Sequence, residues 1–309
     1  MIADRPLLGM IFMLGFCLLA PLGDSIAKIL GESLPLALMV LARFMAQVAI
    51  LIPLAWATRL KLAMTPRILR LTVLRTLLHI IGIGAMFLSL RFLPLADAIS
   101  IAFVMPFMML LLGRFVLGEQ VGPYRLGACI VGFVGVLLVI RPNYAEVGTP
   151  ALLPLAVAAA FSLFMMVTRN VAKDVDPIAL QAVSGVVAVV LMAPAIWGAS
   201  LLGFESGLRG ALETLATQPR TLALLLGIGT LGTLAHLMMT WSLRLAPAST
   251  LAPMQYLEIP FATLIGWVIF ADLPDGLAAV GISLTVGAGL YVIHREQVTA
   301  RRAAAAETA

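Results

Sequence analysis

LRLAPASTLAPMQYLEIPFATLIGWVIFAD, residues 243–272, is an apolar stretch long enough to cross a lipid bilayer, with a carboxylate, Glu258, near its middle. About 20 apolar residues span the hydrocarbon core. Glu258 lies roughly eleven residues past Pro247, about 16 Å along a helix rising 1.5 Å per residue, which is close to the bilayer midplane. An ionised group there costs about 2.5 kcal/mol or more, so Glu258 is expected to face a wet cavity or a partner rather than lipid. Pro253 and Pro260 bracket it. Each removes an amide donor and frees a carbonyl one turn earlier, those of Ser249 and Tyr256, in a medium with no water to satisfy them. Gln255, three residues back, shares the face of Glu258, whereas Tyr256 points elsewhere on the helix. A polar, irregular centre in an apolar span is what a transport site requires.

The same pattern occurs earlier in the chain. Arg91 to Glu119, RFLPLADAISIAFVMPFMMLLLGRFVLGE, aligns with Arg244 to Asp272, setting Pro94 on Pro247 and Glu119 on Asp272, with Pro106 one place out of step with Pro260. The match runs upstream through Arg67 and Arg220, Met86 and Met239, and Ser89 and Ser242. Further back, Ala27-Lys28 answers Ala172-Lys173, Pro35 answers Pro177, and Pro53 with Trp56 answers Pro194 with Trp197. The chain therefore reads as a duplicated unit.

Of its 309 residues 62% are hydrophobic and 11% charged, and the mean hydropathy is +1.08, which places it well outside the soluble range. The pI of about 9.7 does not indicate nucleic acid, because the basic residues are scattered between apolar runs instead of clustering with aromatics. Cys17 and Cys129 sit inside apolar runs, where cysteine behaves as a small hydrophobe, and no spacing suggests a disulfide framework or a metal site. No cofactor is expected. The N-terminus reads as an uncleaved first helix, since a small-x-small cleavage site is not evident and many spans follow.

Apolar runs predict ten helices, five per unit: about 7–29, 35–56, 71–90, 93–117 and 123–140, then 150–171, 177–202, 221–243, 247–271 and 276–293. The units are 7–142 and 150–294, with 295–309 as a short solvated tail; the loop 203–220 has room for an interfacial helix. With a cytoplasmic N-terminus, thirteen basic residues fall inside: Arg5, Arg59, Lys61, Arg67, Arg70, Arg114, Arg125, Arg169, Lys173, Arg244, Arg295, Arg301 and Arg302. Five fall outside, namely Lys28, Arg91, Arg141, Arg209 and Arg220. That positive-inside bias puts both termini in the cytoplasm. An odd number of spans per unit inserts the second unit upside down relative to the first, the inverted-repeat design of secondary transporters, with substrate bound where the repeats meet.

The remaining intramembrane polar residues are candidates for that site. Arg43 lies too deep to snorkel and needs an anion or a ring of carbonyls, with Glu258 or Asp24 as an alternative internal tie; Gln47 shares its face. Asp24 and Lys28 stand one turn apart in the favourable order for an ion pair, with Lys28 also able to reach the outer headgroups. Arg75 and His79 form a second such spacing, Arg75 facing either headgroups or substrate, and His79 reading as a packing residue like His236. Asp97 is expected to cap the fourth helix, and Glu119 and Asp272 to be structural. Trp241 is either an interface anchor or a stacking surface for a planar ligand. Nothing has the spacing of a catalytic triad, a metal site or a Walker lysine motif.

Two units each ending in a run like PFMMLLLGRFVLGE followed by RLGACIVGFVGVLLVIRP resemble the drug/metabolite transporter superfamily with two EamA domains, over nearly all of Leu7 to His294. Within it, GDSIAK (23–28), ARF (42–44), LRTLLHIIG (74–82) and APMQYLE (252–258) are similar to the subgroup of S-adenosylmethionine and riboflavin uptake carriers. The second unit departs by carrying Asp272 in place of Glu.

The resemblance implies an all-α, multi-pass carrier of the bacterial inner membrane that moves a small polar organic metabolite by alternating access. Glu258 and Arg43 would be its principal charges, Asp24, Gln255 and Arg75 nearby, and Lys28, Trp241 and Tyr256 further candidates for substrate contact. Proton coupling through Glu258 belongs to the same expectation, since a carboxylate held away from water can exchange a proton near neutral pH. Expected partners are a small-molecule substrate and membrane lipid, with pairing as a homodimer open and nucleic acid excluded. A membrane-embedded lipid-processing enzyme or flippase is the alternative, lacking the reactive cluster it would need.

Overall fold

Proline sets where the chain enters its helices. Five of them begin on proline, where the missing N–H is not needed and the fixed φ suits the first turn. The computed structural model describes residues 6–105, 107–108, 123–172, 174–201, 208–245, 251 and 255–307. Among these, every regular element is helical: α1 (Pro6–Leu30), α2 (Leu36–Ala57), α3 (Pro66–Ser89), α4 (Leu95–Ala102), α5 (Pro123–Val147), a single 3-10 turn (Thr149–Leu152), α6 (Leu153–Val171), α7 (Pro177–Leu201), α8 (Leu208–Thr217), α9 (Pro219–Leu245), α10 (Glu258–Phe270) and α11 (Gly276–Glu307). By length and composition, α1, α2, α3, α5, α6, α7 and α9 can cross a membrane, and α10 and Gly276–Tyr291 are shorter apolar helices.

Helix α1 packs mainly on α9, α3 on α6, α2 on α7 and α9, and α5 on α11; α10 lies against α1 and α4. Without a hydrophobic drive between helices in lipid, close approach depends on small side chains. The α5–α11 seam shows this directly, since a Cβ on Gly135 would fall 2.7 Å from the carbonyl oxygen of Gly281. One apolar core gathers Leu95, Ile99, Val136, Val139, Ile259 and Ala262 from both ends of the sequence.

Several expectations are revised. The ninth span is not one helix from Pro247: a turn at Tyr256–Leu257 interrupts it, and α10 starts at Glu258. Pro260 has no N–H to give to the Tyr256 carbonyl, which accepts from Ile259 N at 3.3 Å instead, so proline opens the helix within its first turn. An interruption at Phe103–Val104 ends α4 in the same way, ahead of Pro106. The tail 295–309 continues α11 as helix to Glu307, because its alanines are strong helix formers and no Gly or Pro stops them. Asp97 does not cap α4 through its side chain; it accepts a 2.8 Å hydrogen bond from Asn143. The loop 203–220 does hold a short helix, α8. Pro106, Arg114, Glu119 and Pro253, named above, lie outside the described residues.

Lys28 pairs with Asp272 at 3.0 Å rather than with Asp24. It also donates to the Leu93 carbonyl at 3.3 Å and sits 4.8 Å above the Phe270 ring, so one ammonium ties α1 to the starts and ends of two other helices. Ala271, in the left-handed conformation (φ 55°), makes the turn that presents Asp272. A left-handed backbone costs a residue with a Cβ about 1–2 kcal/mol, and Gly118 occupies the matching place in the first unit. Ala271→Gly is expected to stabilise the protein by about 1 kcal/mol, offset in part by the freedom glycine gains when unfolded. Thermal unfolding in detergent checks this through a raised midpoint.

Candidate functional site

Asp24 on α1, Arg43 on α2 and Glu258 at the start of α10 line one cavity of about 90 Å³. A water needs roughly 10–15 Å³ of such space, so several fit. The rest of the wall includes Phe16 of α1, Met86 of α3, Met105, Phe161 of α6, and Gly232 and His236 of α9. Asp24 and Glu258 are half-buried, whereas Arg43 is only 4% exposed.

Arg43 can lie this deep because α9 makes room for it. Gly232 carries no side chain where a Cβ would come 2.9 Å from the guanidinium carbon. Nη2 donates to the Gly232 carbonyl at 3.4 Å and meets His236 Nδ1 at 2.9 Å. The same Nδ1 lies 3.1 Å from the Gly232 carbonyl, so it accepts from Arg43 when the imidazole proton is on Nε2 and donates to that carbonyl when the proton is on Nδ1. Nη1 has no hydrogen-bond partner among the described residues. Asp24 is close enough for its charge to act on both Arg43 and Glu258. Two carboxylates and one guanidinium on the same cavity leave one negative charge to be matched, by a proton or by a cationic group.

An aromatic layer closes one side of the cavity. The His236 ring lies 4.4 Å from that of His79, which stacks on Phe164 at 4.6 Å, while Phe44 and Phe16 meet the two imidazoles edge-on. Beyond the layer, Arg75 donates from Nε to the Thr168 hydroxyl and from Nη1 to the Ser184 hydroxyl, both at 2.7 Å. Beside it, Gln47 Nε2 donates to the Gln181 carbonyl at 2.6 Å, and Gln181 Nε2 donates to the His236 carbonyl and Thr240 hydroxyl.

The structure therefore brings together Asp24, Arg43 and Glu258, as the sequence suggested, and separates the others from them. Arg75 is buried behind the aromatic layer and Lys28 is engaged by Asp272. Trp241 stacks with Phe12 at 6.4 Å under the Arg244 guanidinium, an anchor's setting. Tyr256 is buried against Phe103, ring centroids 5.4 Å apart, and Gln255 is buried beside it at the helix interruption; neither lines the cavity. Gly232 and Met105 were not singled out as site residues, and His236 was read as packing. The four-residue spacing of Gly232 and His236 on one face was the available signal for the Arg43 cradle. Among the described residues no group of His, Cys, Asp or Glu could hold a metal ion.

The model of the EamA-like transporter family matches residues 7–141 and again 149–294. The chain belongs to that family. It is a multi-pass membrane protein, and its family and relatives are transporters, not enzymes. A riboflavin transporter of Rhizobium johnstonii is 29% identical over 74% of this chain and 72% of its own length. An S-adenosylmethionine uptake transporter of Rickettsia bellii is 27% identical over 73% and 72%. A riboflavin transporter of Vibrio cholerae is 21% identical over 97% and 98%. One crystal structure shares the fold with a TM-score of 0.60 at 19% identity, covering 96% of this chain and 97% of its own.

The Arg43 cradle makes a prediction. Gly232→Ala should force the guanidinium out of its place and destabilise the protein by about 1–3 kcal/mol. Gly84→Ala, inside α3 where an added Cβ meets nothing within 4 Å, should instead raise the unfolding midpoint, by about 0.5–1 kcal/mol of stability. Thermal unfolding of the two variants side by side gives the answer.

Proposed function

We propose that this protein is a secondary carrier that moves a small polar organic metabolite across the bacterial inner membrane by alternating access. In this reading ten helices in two inverted five-helix repeats span the bilayer, both termini are cytoplasmic, and the repeats rock about the cavity. The observation that carries it is the meeting of Asp24, Arg43 and Glu258 in one cavity walled by helices from both halves of the sequence. Intramembrane charges gathered at the place where two halves join are the usual mark of a substrate pathway.

The packing supports the repeat arrangement. Exchanging α1–α5 for α6, α7, α9, α10 and α11 in order maps each major contact onto another: α1 on α9 onto α6 on α3, α2 on α9 onto α7 on α3, and α1 on α10 onto α6 on α4. The interruptions at Phe103 and Tyr256 fall at the offset that aligns Arg91 with Arg244. Ser162 donates to the carbonyl of Met105 at 3.2 Å, and Cys17 contacts the backbone of Glu258, at positions the two halves share. Lys and Arg weighted to one side support the orientation.

Riboflavin and S-adenosylmethionine, the cargoes named for the relatives, are the first substrates to try. Asp24, Arg43 and Glu258 contact the substrate, and the two carboxylates provide a place for a coupling proton. In proteoliposomes loaded with each candidate, the wild type should exchange labelled substrate, and Glu258→Gln should reduce that flux to the level of empty vesicles with its folded fraction intact. Normal flux in the variant removes Glu258 from the mechanism, and no flux of any small metabolite by the wild type rejects the carrier.

A further inference from the structure

The polar cluster behind the aromatic layer is not explained by the cavity. Arg75 is 0% exposed, and no acidic side chain among the described residues pairs with it. Its two hydrogen bonds among the described residues go to neutral hydroxyls, and Thr168 donates its own hydroxyl to the Phe164 carbonyl, so neither bond offsets the charge. Among the described residues Nη2 has no hydrogen-bond partner, and one turn along α3 both ring nitrogens of His79 are also without one. The guanidinium lies 4.5 Å from the Phe164 ring, whose quadrupole attracts the cation but accepts none of its remaining N–H groups. A residue kept only to tie α3 to α6 and α7 would need the two hydroxyl bonds and nothing more. What is left over is a fully buried positive charge with N–H donors that no described residue accepts.

We infer that Arg75 and His79 form a second binding stop, beyond the aromatic layer from the cavity, for the carboxylate of a small organic molecule. A monoanion matches the single guanidinium charge, whereas a doubly charged phosphate would leave one charge unmatched in a low-dielectric site. Nη2 supplies two N–H groups and His79 a third, enough for both carboxylate oxygens. The stop becomes reachable when the His79–His236–Phe164 stack parts, and it hands the ligand on from Arg43, one ring stack away. This use of the site rests on the carrier reading; the binding of a carboxylate there does not.

The test is chemical and needs no variant. Wild-type protein in liposomes is labelled with phenylglyoxal, and adducts on Arg43 and Arg75 are followed by peptide mass spectrometry in benzoate, in benzamide of the same shape without charge, and in chloride at equal ionic strength. Benzoate at about four times its Kd should slow the Arg75 adduct about fivefold, following 1 + [L]/Kd, while benzamide leaves it at the chloride rate. Equal Arg75 rates in all three solutions, equal slowing by benzamide, or an Arg75 that never labels would each overturn the second stop. Protection of Arg43 alone would also overturn it, while leaving the carrier reading standing.

Discussion

A guanidinium in hydrocarbon has to be solvated by the protein that carries it, and the middle of this molecule is arranged around that requirement. Arg43 reaches α9 only because Gly232 is bare, and it is held there by a carbonyl and an imidazole nitrogen, with the charge of Asp24 acting on it from α1. Each partner constrains its neighbour in turn. His236 is shared between the arginine and the Gly232 carbonyl, and its ring meets Phe16 and Phe161 in T-shaped contacts and His79 at a tilt. Asp24, Arg43 and Glu258 are gathered on one side of the ring stack, and a second polar cluster around Arg75 and Gln181 lies on the other.

The same medium explains the backbone. A proline in a spanning segment leaves an acceptor that lipid cannot satisfy, so the chain breaks its helix there and closes the turn with shorter-range bonds. Ile259 to Tyr256 and Val104 to Ile101 are those bonds. Starting α10 at Glu258 also places the carboxylate in the first turn, where unsatisfied N–H groups give the helix its positive end. Glu258 is thus polar by side chain and by position.

Much of this was legible in the sequence, and the exceptions have physical causes. Hydropathy located the long spans because lipid imposes length and composition on them, and the depth of Glu258, Arg43 and Asp24 marked them as residues that must meet something polar. The partner of Lys28 was not legible. Local spacing offered Asp24, but the ion pair is made with Asp272, distant in sequence, once Ala271 turns the chain. Arg75, nearer the end of its apolar run than Arg43, left headgroup and substrate contact equally open, and only the packing of α3 on α6 decides that it lies behind the aromatic layer. The helix interruptions were announced by Pro106 and Pro260, but their form was not, since it depends on which donors the surrounding turn can redirect.

The rings of Phe103 and Tyr256 touch where the two helix interruptions meet. Together with the packing of α10 on α4, this pair of side chains carries a bend in one half to the other, and a substitution at either ring changes the fit of both. Compensating pairs at positions 103 and 256 are the trace that coevolution would leave.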